Sequence, residues 1–101
     1  MRHMAEQLAA AILAAGGVDE VARAAGAPCK ALVDLVGQPM VAWVATAVRA
    51  EEVIGDFVVV EGPAGELSAG WQQSWARVVR AEGPGFLDTV RAAVAALPTA
   101  E

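Results

Sequence analysis

From Leu8 to Leu13 the chain is apolar at every position, and after Ala14-Ala15 it runs straight into Gly16-Gly17. Such a run without polar alternation predicts a strand buried on both faces, as in a parallel sheet, while its alanine content leaves a helix open. Asp19 to Ala25 has helix-forming composition, with Asp19 and Glu20 in the first turn and Gly26-Ala27-Pro28 closing it, which predicts a short helix or helical turn inside a loop. Ala31 to Val36 predicts a short extended piece whose apolar positions bracket Asp34. Pro39, at the first helical position, opens a helix running to about Ala50. On it Val41, Val44, Ala45 and Val48 recur at helical spacing as one buried stripe, with Trp43 off that stripe to cover a sheet edge or meet a partner.

The run Asp56-Phe57-Val58-Val59-Val60-Glu61 is the clearest strand, β-branched at its centre and ended by Gly62-Pro63. Residues 64–70 read as loop with a short helix from Glu66, Ala76 to Arg80 as a third strand, and Glu82-Gly83-Pro84-Gly85 as a turn. Phe86 to Leu97 predicts a second amphipathic helix with Phe86, Val90, Ala93, Val94 and Leu97 on one face, stopped by Pro98. Strands alternating with helices are the signature of right-handed βαβ crossovers. The expected fold is α/β, a Rossmann-like three-layer αβα domain with a mostly parallel sheet. Ligands of such folds bind beyond the carboxyl ends of the strands, where Gly16, Gly17 and Glu61 fall.

Length narrows this picture: 101 residues make one domain over 1–101 with a real core, but few for a complete α/β enzyme. Met1-Arg2-His3-Met4 reads as an alternative start or a cloning remnant and takes the one histidine with it. With 56% hydrophobic residues, burial must be extensive. Seven Lys+Arg against twelve Asp+Glu give a net charge of −5 with no basic run, which argues against nucleic acid and anionic membrane as partners. The apolar run at Leu8–Ala15 is too short for a membrane helix, and the single cysteine fits a reducing cytoplasm.

The candidate chemistry sits at the glycine turn. Glycine lacks a β-carbon, so backbone N–H groups there can approach phosphate oxygens closely, and Lys30 supplies a point charge soon afterwards. Cys29 next to that cation is a candidate reactive thiol, set against the plainer reading of a small, part-buried side chain. Glu61 either faces a ligand or is solvated, and Asp34 and Asp88 read as turn or surface groups. Trp71 and Trp75, four apart, would share a helix face, either stacking on a base or packing in the core or an interface.

Three segments in order, Leu13-Ala14-Ala15-Gly16-Gly17, Lys30-Ala31-Leu32 and Gly37-Gln38-Pro39-Met40, resemble the opening of the nucleotidyltransferase family that includes the molybdenum cofactor guanylyltransferases. The resemblance extends to about Glu61 and more loosely over Phe86 to Leu97. It implies attack of an acceptor's phosphate oxygen on the α-phosphorus of a nucleoside triphosphate, with release of pyrophosphate. It further implies nucleotide contacts from Leu13, Ala14, Ala15, Gly16 and Gly17, a catalytic Lys30 that stabilises phosphate charge, and Mg2+ bridging phosphate oxygens.

Two departures stand against the family pattern. The usual arginine after the glycines is missing, with Val18 and Glu20 at the matching positions and Arg23 one helical turn later as its substitute. The family strand that brings a metal-binding aspartate would follow Leu97, and no such strand lies within these 101 residues, so no metal ligand is assigned. An N-terminal portion of the family domain would leave its first strand with an unpaired apolar edge, through which a homodimer forms. The competing reading is therefore a non-catalytic interaction or dimerisation module that keeps the fold without the metal site.

Overall fold

The β-branched run lies at the centre of the molecule, with Val58, Val59 and Val60 each 0% exposed. The computed structural model describes residues 7–16 and 20–97. In chain order the elements are β1 (Leu8–Ala14), α1 (Glu20–Ala25), a 3₁₀ turn (Lys30–Leu32), β2 (Asp34–Leu35), β3 (Gln38–Pro39), α2 (Met40–Ala50), β4 (Ile54–Glu61), α3 (Glu66–Gly70), β5 (Val78–Arg80) and α4 (Phe86–Ala96). Three of the strands form a parallel sheet in the order β1-β4-β5, while β2 and β3 make a separate antiparallel hairpin. The last register position across the sheet is Ala14, Glu61 and Arg80.

Alternation along β4 sends its side chains to opposite layers. Val59 packs with Cys29, Val41, Ala42, Ala45, Leu67 and Trp71, so α2 and α3 cover one face. Val58 and Val60 pack with Ala81 and Ala93, so α4 covers the other. The result is the expected Rossmann-like αβα arrangement. No helix among the described residues is long and apolar enough to cross a membrane.

The structure corrects several local expectations. β1 is a strand but is not buried on both faces: Leu8 and Leu13 are exposed because β1 lies at the sheet edge and pairs only with β4 among the described residues. The residues expected as one extended piece divide into the 3₁₀ turn and β2, with Leu32 N donating to Cys29 O at 3.1 Å. Pro39 caps α2 with extended backbone (φ −67°, ψ 152°) instead of occupying its first helical position. The buried stripe of α2 is Val41, Ala42 and Ala45, with Val44 exposed. Likewise α4 buries Thr89 and Ala93 and exposes Phe86 and Val94. In both helices mostly small residues are buried, while larger ones such as Val44, Phe86 and Val94 stay exposed.

Candidate functional site

At the carboxyl end of the sheet, the loops after β4 and β5 wall cavities that Gly16 also lines. The backbone after Ala14 passes close to the start of the next loop, where a β-carbon on Gly62 would lie 3.4 Å from Ala15 O. Among the described residues, a β-carbon on Gly16 would meet nothing within 4 Å. The described part of the protein thus leaves space over this glycine, as close backbone approach to a ligand requires.

Three cavities share Gly16 in their walls. One of about 360 Å³ runs between Leu13-Ala14 and the segment carrying Lys30, Met40 and Val44. A second, about 220 Å³, lies between Ala14-Ala15, Cys29, the Gly62-Pro63-Ala64 loop and Pro84. The third, about 320 Å³, is bounded by Leu13, Ala15, Pro84, Phe86 and Thr89. Of the expected site residues, Leu13, Ala14, Ala15, Gly16 and Lys30 are thus brought together. Arg23, in the last turn of α1, is exposed and does not bound these cavities. Glu20 opens the same helix on the surface. Gly17, Asp19, Pro98 and the Met1–Met4 segment lie outside the described residues.

Glu61 is neither solvated nor turned toward the cavities. It is 3% exposed, and its carboxylate accepts from Ser68 N (2.8 Å), Ser68 Oγ (2.9 Å) and Arg80 Nε (3.3 Å). Cys29 is buried, and that burial pushes its thiol pKa above the ordinary value, with hydrogen bonds to Leu32 and Ala31 opposing the rise. This disfavours the thiolate that a reactive cysteine needs. Asp34 accepts from Gly37 N in the hairpin turn, and Asp88 Oδ2 accepts from Gly85 N (3.0 Å) at the start of α4, so both hold turns.

Trp71 and Trp75 do not share a helix face: Trp71 caps α3 and Trp75 lies in the following turn. Their rings meet edge-on at 6.2 Å within the layer of α2 and α3, with the Arg49 guanidinium 4.5 Å from the Trp75 ring centre. Trp43 donates from Nε1 to Leu35 O (2.8 Å), tying the hairpin to α2.

The donor set does not fit a protein-held magnesium ion. No group of three or more His, Cys, Asp or Glu side chains comes together among the described residues. Glu66 lines the second cavity, whereas the Glu61 carboxylate is already occupied by Ser68 and Arg80. The walls supplied by Gly62-Pro63-Ala64 and Pro84 were not assigned from sequence. Their signal was Gly-Pro directly after one strand and soon after another, which in a parallel sheet places both at the ligand-binding end.

A parallel αβα sheet with a cleft where the strands end, walled by glycine- and proline-containing loops, defines a class of α/β domain. The model of the MobA-like NTP transferase domain matches residues 10–101, and the chain belongs to that family. It is a nucleotidyltransferase-like domain. Comparison with curated proteins and with solved structures finds no match.

Proposed function

We propose that this domain binds a nucleoside triphosphate with its phosphates against Ala15-Gly16 and Lys30. The observation that carries this reading is the open space over Gly16 on the same cleft that Lys30 lines. Backbone groups of Leu13, Ala14, Ala15 and Gly17 would contact the nucleotide. Lys30 is the catalytic cation, whereas Arg23, exposed and outside the cavity walls, is not among the nucleotide contacts. In the family reaction an acceptor phosphate oxygen bonds to the α-phosphorus, the bond to the bridging oxygen breaks, and pyrophosphate leaves. Positioning and charge neutralisation supply the catalysis. A phosphorylated small molecule is the acceptor class, and the cytoplasm, where a lone thiol stays reduced, is the proposed setting.

Calorimetric titration with ATP, GTP, CTP and UTP in magnesium buffer tests the reading. At least one should bind, and Lys30→Ala should weaken it about tenfold, the loss of one charge-assisted contact. Gly16→Ala should weaken it as well without lowering Tm, because its β-carbon enters the ligand's space and not the protein's. Absence of binding by all four, or binding indifferent to both substitutions, would remove the proposal.

A second reading, a dimerisation module, is favoured by one observation. β1 has a free edge among the described residues, contains no charge or proline over Leu8–Ala14, and carries exposed Leu8 and Leu13.

A further inference from the structure

Glu61, Ser68 and Arg80 come from three different elements and meet in one part-buried network, in which the Glu61 carboxylate is buried and the Arg80 side chain is 55% exposed. Glu61 ends β4, Ser68 lies on α3, and Arg80 ends β5 beside Glu61 in the sheet register. Each is next to a wall of the cleft. Gly62-Pro63-Ala64 follows Glu61 directly, and the loop carrying Pro84 follows Arg80. Gly65 belongs to the same arrangement: its φ is +71°, and a β-carbon there would collide with the Arg80 guanidinium. Glycine at 65 serves the left-handed turn before α3, over which the flexible Arg80 side chain passes. The backbone repeats the connection, since Gly65 N donates to Gly62 O (3.1 Å) and Ala81 N donates to Glu61 O (2.9 Å).

The buried Glu61 carboxylate accepts two hydrogen bonds from Ser68 and one from Arg80, and these tie the end of β4 to α3 and to the end of β5. We infer that Glu61 is a positioning residue of the nucleotide cleft: together with Arg80 it clasps the loop after β4 to the loop after β5 and sets the spacing of their walls opposite Gly16. It touches no ligand itself. The inference rests on the nucleotide reading for its consequence and on the clasp geometry for its cause.

Glu61→Gln, Arg80→Ala and the double variant test it on the whole chain through two readouts. The first is hydrogen exchange at Gly65, Ser68 and Ala81 without nucleotide. The second is titration with the nucleoside triphosphate that the wild type binds most tightly. A clasp predicts faster exchange at Gly65 and Ala81 as well as at Ser68 in Glu61→Gln. It also predicts nucleotide affinity lower by about tenfold, the scale on which a supporting hydrogen-bond partner acts. The double variant should be no worse than the weaker single one, because both remove the same connection.

Exchange changed at Ser68 alone, or affinity unchanged in a folded variant with altered exchange, would overturn the positioning role. Additive losses in the double variant would do so too, since they indicate separate ligand contacts. If the wild type binds no nucleotide, the cleft reading fails and the positioning role goes with it, while exchange still reports whether the clasp exists. Should Glu61→Gln not fold, Arg80→Ala alone decides by the same two readouts.

Discussion

Val36 is where a single residue type works against its conformation. The β2–β3 turn holds Val36 at φ 50° and Gly37 at φ 92°, the pair of positive values that a two-residue hairpin turn of the I′ kind requires. Glycine accepts this, but a β-branched side chain does not, and Val36 is 93% exposed, so little packing compensates. Val36→Asn should raise stability by about 1 kcal/mol in denaturant titration with an unchanged m-value. An equal or lower stability would show that the turn carries no strain. The sequence singles out Gly16 and Lys30, which line one cavity, because a missing β-carbon and a cation are properties of one residue. The role of Glu61 was not legible, because its partners lie 7 and 19 residues further on and only the fold brings them together.

At the scale of elements, β1, β4 and β5 were readable from β-branched and apolar runs and helix positions from proline and glycine punctuation, whereas the hairpin of β2 and β3, two residues a strand, was not. The buried faces of the helices were not. In α2 a stripe chosen for hydrophobicity favours Val44 over Ala42, yet the helix buries Ala42 because small side chains permit close approach to the sheet. Hydropathy periodicity cannot register that, among the described residues, β1 lies at the sheet edge. The five-residue α3 is too short to persist by itself and is held by the fully buried Leu67, by Trp71 at its end and by the Ser68 bonds to Glu61. Leu67→Ala should therefore cost about 3 kcal/mol in urea titration. A loss below ~1 kcal/mol would mean that the layer around α3 collapses to fill the space.

For the molecule as a whole, the fold class followed from the alternation of strands and helices, and the carboxyl-end location of the cleft followed from the fold class. The free edge of β1 was also expected from the sequence, because an N-terminal portion of the family domain leaves its first strand unpaired, and among the described residues β1 does lie at the sheet edge. That edge predicts concentration-dependent association in sedimentation velocity. Ala11→Lys, which places a charge in the middle of the exposed strand, should suppress it. Association indifferent to that charge would move the contact elsewhere.

The central claim is that the glycine-ended strand, Lys30 and the two proline-bearing loops form one nucleotide site. Backbone amide NMR with the tightest-binding nucleoside triphosphate in magnesium buffer addresses it most directly. The account predicts saturable shifts at Ala15, Gly16, Lys30, Gly62 and Ala64, with little change at β2 and β3. Shifts confined to other surfaces, or none at saturating nucleotide, would contradict it.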